Sequence, residues 1–188
     1  MQDARQAEKR ERILSAAREL FLRHGLRATS MEAIARAAGM AKPTLYAQFA
    51  DKDAVFLAIL EVLIADKLAS FDLAMAGPGP LPERIGVALA AEFGVIATAI
   101  AGSAHVDELF SAHRQGAGLF AESDRKVRNR LEAELTSAGA AEPVRLARLL
   151  LDAAFGVAQK SIAAETLEDD LKLLALRLVA PALPAPKP

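Results

Sequence analysis

The stretch Gly39-Met40-Ala41-Lys42-Pro43-Thr44-Leu45-Tyr46-Ala47-Gln48-Phe49 constrains this chain more than any other. Gly39 supplies the positive-φ freedom that a sharp turn between two helices needs. Pro43 has its φ preset for a first helical position and disfavours helix at Lys42 before it, so a short helix is predicted from Pro43. Leu45 and Phe49, four apart, face inward. Pro43, Thr44, Ala47 and Gln48 then share the opposite side, flanked by Lys42 and Tyr46. That collection of polar groups makes a poor core surface and a good duplex-reading one. Lys42, the hydroxyls of Thr44 and Tyr46 and the first-turn N–H groups suit phosphate oxygens. Gln48 matches an adenine edge, and Ala47 can rest on a thymine methyl. The bland reading is the solvated side of an ordinary helical bundle, and these residues alone do not separate the two.

The flanks break the tie. A first helix is predicted over residues 4–24, with Ile13, Leu14, Ala17, Leu20 and Phe21 as one apolar stripe and Gly25 closing it. Thr29-Ser30-Met31-Glu32 then offers a Thr-x-x-Glu capping box, with Ser30 as the alternative cap. The second helix points Ile34, Ala35 and Ala38 inward and ends at Gly39. Two short helices joined by a glycine turn, behind a longer one, make a helix-turn-helix.

At 188 residues, 53% of them hydrophobic, the chain can bury a real core. It has no cysteine, which excludes a disulfide framework, thiolate metal ligands and a thiol nucleophile. No apolar run reaches the ~18 residues of a membrane span, and the charged start does not resemble a signal peptide. A cytoplasmic protein is expected. The net charge of -1 hides an asymmetry, because residues 1–50 carry nine Lys/Arg against five Asp/Glu and the remainder is acidic. A basic first quarter fits an electrostatic footprint at one end.

The run Ile13-Leu14, Ala16-Ala17, Leu20-Phe21, Gly25, Thr29-Ser30-Met31, Ile34-Ala35, Ala38-Gly39-Met40, Lys42, Thr44-Leu45-Tyr46, Phe49 and Lys52 resembles the DNA-binding domain of the tetracycline-repressor (TetR) family. The resemblance implies a dimeric bacterial transcriptional regulator, usually a repressor, whose C-terminal domain binds a small molecule that releases double-stranded DNA. It also implies that Lys52 touches the DNA backbone and that the second helix shares in readout. The expected contacts are thus Thr29, Ser30, Met31, Lys42, Pro43, Thr44, Tyr46, Ala47, Gln48 and Lys52. Two departures stand out. Ala41 replaces a frequent capping Ser, and Ala47 is smaller than the usual reading side chain.

The expected fold is all-α with about nine helices: a three-helix helix-turn-helix domain over 1–52, a helical regulatory and dimerisation domain over 53–180 and a disordered tail over 181–188. Asp51 caps a long fourth helix to Met75, which carries Val55, Phe56, Ile59, Leu60, Leu63, Leu68 and Phe71 inward. Passing from one domain to the next, it is the expected mechanical link. Gly77-Pro78-Gly79-Pro80-Leu81-Pro82 breaks the chain before a fifth helix to Ala101. A short sixth helix through His113, a seventh over 119–138, an eighth from Pro143 to Ala164 and a ninth capped by Thr166 follow. The proline-rich tail is not expected to be helical.

The last two helices carry wide apolar faces. By the resemblance they pair with their copies in a homodimer, through Leu146, Leu149, Leu150, Ala153, Ala154, Val157, Leu171, Leu174 and Leu178; the alternative is that they complete a monomer core. A two-fold dimer sets two recognition helices roughly 34–36 Å apart and calls for a near-palindromic operator. Ligand candidates are Phe93, His105, Phe110, His113, Phe120, Phe155 and Gln159, although aromatic residues at helical spacing are more often plain core. His105 and Glu108 are i, i+3 but have no third ligand, so no metal and no cofactor are expected. An enzyme is not expected either, since Gly102-Ser103-Ala104 is no nucleophile elbow and Gly116-Ala117-Gly118 lacks the Lys-Ser/Thr of a phosphate loop. The competing classes are an activator or ligand-independent regulator and a helical protein-interaction module. A steep salt dependence separates DNA binding from the last.

Overall fold

The computed structural model describes residues 2–105, 108–109, 117–160 and 164–185. Among them are eight α-helices, one 3-10 turn and no strand. The helices are α1 Gln2–His24, α2 Met31–Ala37, α3 Lys42–Tyr46, α4 Lys52–Met75, α5 Leu81–Ile100, α6 Ala117–Ser137, α7 Pro143–Lys160 and α8 Ala164–Val179. The short helix expected through His113 falls largely on residues outside this description, as does the expected end of the helix that starts at Pro143. The chain divides into two compact units: residues 1–62 with 100–118, and residues 63–99 with 119–188.

In the first unit, the α1 stripe buries Ile13, Ala17 and Phe21 and half-buries Leu14 and Leu20. Phe21 meets Phe56 of α4 edge-on, with ring centroids 6.0 Å apart. Ile34, Ala35, Leu45, Phe49 and Val55 complete the apolar centre. The turn after α2 forms as expected: Gly39 sits at φ +64°, and the Met40 N–H donates to the Ala35 carbonyl. One arginine on α1 reinforces it, since Arg12 donates to the Ala38 carbonyl at 2.7 Å.

Three local expectations change. Ser30, not Thr29, caps α2 by accepting from the Ala33 N–H, because the Thr29 hydroxyl donates instead to the Gly25 carbonyl. The third helix starts at Lys42, one residue before Pro43, with Ala41 at the cap providing no side-chain bond. The last helix starts at Ala164, so Thr166 lies inside it. Asp51 does cap α4, accepting from the Ala54 N–H at 2.8 Å.

The second unit is built on Phe71, Met75, Ile85, Leu89, Val127, Leu131, Leu135, Leu150, Leu171 and Val179, which form one buried cluster. Leu146, Leu150, Ala154 and Leu171, expected at a dimer face, belong to this core of the single chain. Gly86 brings α5 against α8: a Cβ there would stand 2.6 Å from the Lys172 Cα. The tail also departs from expectation. Residues Ala180–Ala182 form a 3-10 turn, Ala182 accepts from the Ala141 N–H at 2.8 Å, and Leu183 packs on the core. Proline at the start of such a turn loses no needed donor, and the apolar Leu183 gains burial.

Candidate nucleic-acid interface

The surface of α3 is set by Leu45 and Phe49, which are buried and so fix the rotation of the short helix. Lys42, Pro43, Tyr46 and Ala47 are exposed on it, while Thr44 and Gln48 are half-buried. Tyr46 keeps 48% of its surface open although it is one of the larger apolar side chains of the unit. Ser30 is exposed at the start of α2. The structure thus presents Ser30, Lys42, Pro43, Thr44, Tyr46, Ala47 and Gln48 as an accessible set.

The other three expected contacts have internal roles. Thr29 and Met31 are buried. Lys52 directs its ammonium inward, donating to the carbonyls of Leu26, Arg27 and Thr29 at 2.9, 3.0 and 3.3 Å. These carbonyls lie in the loop after α1, outside any helical ladder, and an ammonium has three donors to offer them. The same loop is held from a distant part of the chain. Glu108 accepts from the Arg27 N–H at 2.6 Å, and the Ser103 hydroxyl donates to the Leu22 carbonyl at 2.8 Å. Gly25, at φ +83°, permits this approach, since a Cβ would stand 2.5 Å from Glu108 Oε2.

Sequence reasoning gave Glu32 only a capping role and passed over Arg10. Glu32 forms an ion pair with Lys42 at 3.1 Å, and both side chains are about half exposed. Its carboxyl is held below the ordinary range, first by a backbone hydrogen bond and then by Lys42. Arg10 lies over the Phe49 ring, 4.9 Å from its centroid, and 3.8 Å from Glu61.

In the second unit, two of the expected ligand residues converge on a lysine that sequence reasoning did not select. The Lys67 ammonium is 5.7 Å from the Phe93 ring and 5.3 Å from the Phe120 ring. It is also 2.9 Å from Glu92, whose side chain is fully buried. Burial pushes the Glu92 carboxyl above the ordinary range; Lys67 opposes this and Asp124 adds to it. The legible signal was a charge on an apolar stripe: Lys67 follows Ile64 by three and precedes Phe71 by four, and Glu92 follows Leu89 by three. Phe155 tilts against Phe93 at 6.4 Å between centroids and is 51% exposed, whereas Gln159 is exposed. His105 is not part of this group. It lies in the first unit, where its N–H donates to Ser103 and its ring is 4.0 Å from Glu108. Phe110 and His113 lie outside the described residues. Among the described residues no three His, Asp or Glu side chains gather as metal ligands.

Of the remaining expected interface residues, Ala153, Val157, Leu174 and Leu178 are half-buried and Leu149 is exposed. Val144, Leu173 and Leu176, not selected from sequence, are more exposed than Leu149 on the same two helices.

A buried three-helix centre carrying this α3 surface defines a helix-turn-helix domain. A family profile described as bacterial regulatory proteins, tetR family, matches residues 13–59. Residues 13–59 thus carry a helix-turn-helix domain of that family's type. It is similar to a transcriptional regulator of Rhodococcus whose structure superposes at a TM-score of 0.69, with 25% identity over 94% of this chain and 99% of that one. The HTH-type transcriptional repressor ComR of Escherichia coli is 41% identical over 61 residues, which are 32% of this chain and 29% of ComR. The HTH-type transcriptional activator FasR of Mycolicibacterium smegmatis is 33% identical over 89 residues, 47% of this chain and 41% of FasR. The alignments therefore span less than half the length of either named relative.

Proposed function

We propose that this protein is a sequence-specific DNA-binding transcriptional regulator, a homodimeric repressor released from a near-palindromic operator by a small molecule. The observation that carries the reading is the accessible Lys42, Thr44, Tyr46 and Gln48 surface on α3, within the segment that matches the family profile. Lys42, Thr44 and Tyr46 supply phosphate contacts and Gln48 reads a base edge. Lys52 acts indirectly, by fixing the loop that positions α2. The apolar side chains left open on α7 and α8, Val144, Leu149, Leu173 and Leu176, support pairing of two copies through these helices. Among the described residues nothing in the site calls for catalysis, and a regulator acting on DNA is expected in the cytoplasm. The named relatives include a repressor and an activator, so the sign of regulation rests on operator position as much as on the protein.

Selection of bound fragments from genomic DNA, followed by titration of the winner at two salt concentrations, tests this. A near-palindrome bound by a dimer with a steep log-linear salt slope is the expected result. No enrichment above random DNA, together with silent Lys42→Ala and Tyr46→Ala variants, overturns it and favours a protein-interaction module.

A further inference from the structure

A buried carboxylate needs its lone pairs satisfied, and here they are not. Glu92 Oε1 is held by the Lys67 ammonium at 2.9 Å, while Oε2 has no hydrogen-bond partner among the described residues. The Ser123 hydroxyl, 1% exposed, also lacks one. Ser123 follows Phe120 by three on α6 and so shares the face that meets Lys67. The charges acting on Glu92 are one positive, Lys67, and two negative counting its own, since Asp124 also bears on it. A donor that carries positive charge satisfies the open Glu92 Oε2. Apolar walls adjoin it: Phe93 and Phe120 flank the ammonium, and the partly open Phe155 stacks against Phe93. Apart from chain neighbours and their own helix backbone, no described atom lies within 4 Å of where a Cβ would stand on Gly94 or Gly156, the residues that follow Phe93 and Phe155.

We infer that the Lys67–Glu92–Ser123 group is the polar anchor of the effector site, and that the effector is an organic ammonium with an aromatic or short apolar body. Its N–H groups donate to Glu92 Oε2 and the Ser123 hydroxyl, and its body lies against the phenylalanines. An anionic effector is disfavoured because Lys67 already faces Glu92, and a neutral apolar one leaves the carboxylate oxygen bare. The inference rests on the proposed regulator reading only in calling the ligand an effector.

The test is calorimetric titration of the full chain with phenethylammonium, 2-phenylethanol and 3-phenylpropanoate, each repeated with operator-bound protein. Phenethylammonium is expected to bind at least tenfold more tightly than either analogue. Ser123→Ala is expected to weaken it severalfold. The double variant Lys67→Met with Glu92→Leu, which removes both charges and orphans neither, is expected to abolish its binding while operator binding persists. Tighter binding of phenylpropanoate, lost in the double variant, overturns the inference in favour of an anion held by Lys67. No preference among the three probes, or ammonium binding that survives the double variant, overturns it as well. Ammonium binding that needs the pair but leaves DNA bound supports the site and counts against the released-repressor reading.

Discussion

Two lysine–glutamate pairs, one in each unit, have nearly the same separation and opposite chemistry. Lys42–Glu32 is closed at 3.1 Å with both side chains about half exposed; Lys67–Glu92 is closed at 2.9 Å with both buried. At the surface the Glu32 carboxyl is held below its ordinary range, and in the interior burial outweighs Lys67 and lifts Glu92 above it. Water decides the sign. Exposed pairs cost little to open, so Lys42 can exchange Glu32 for a phosphate, whereas the interior pair is fixed unless another charge replaces a member. Lys52 falls between them, half-buried and bonded to three carbonyls instead of a carboxylate.

The comparison is broken most severely by Lys67→Ala, which strands the Glu92 charge. A loss of about 3–5 kcal/mol in denaturant unfolding is expected. Lys52→Met comes next. It takes from three loop carbonyls the ammonium they share, and a loss of about 2 kcal/mol is expected, accompanied by weaker DNA binding on all sequences. A smaller effect separates the pairs by pH. The folded state holds the Glu92 proton more tightly than the unfolded chain, so its contribution to stability falls as pH rises from the ordinary glutamate range to the raised value, and then levels. Unfolding curves of Lys67→Met with Glu92→Leu should lack that decline. Glu32 has the reverse sign, its contribution being present above the ordinary range and lost as pH falls through the depressed value. Glu32→Gln is the mildest change. Thermal unfolding at neutral pH should fall only slightly, while binding to random DNA strengthens and its salt slope steepens by about one, as Lys42 is freed for phosphate.

What was legible in the sequence tracks how local its cause is. The glycine turn, the α3 surface and the Asp51 cap depend on residues within a few positions of each other, and each is present as read. Thr29 and Ser30 are both competent caps; the choice fell to Ser30 because the Gly25 carbonyl claims the Thr29 hydroxyl. Lys52 looked like any exposed lysine until the loop carbonyls of Leu26, Arg27 and Thr29 were placed beside it in space. The aromatic residues Phe93 and Phe120 were picked out, but the pair they enclose was not. A lone charge on each of two apolar stripes gains meaning only when the helices pack. Five of the nine expected dimer residues are partly or wholly accessible and four are core, because periodicity reports that a face is apolar and not which neighbour covers it.

The loop after α1 has a consequence for how the protein is made. Its Arg27 N–H and the Leu22 carbonyl in the last turn of α1 are completed by Glu108 and Ser103, some eighty residues later in the chain. During synthesis the three N-terminal helices leave the ribosome before those partners exist, at roughly 5–20 residues per second. The helix-turn-helix is thus born with an open loop, and its final form waits for the residues that follow α5. A fragment cut after the first 62 residues keeps the α3 surface but permanently lacks the two bonds that close the unit.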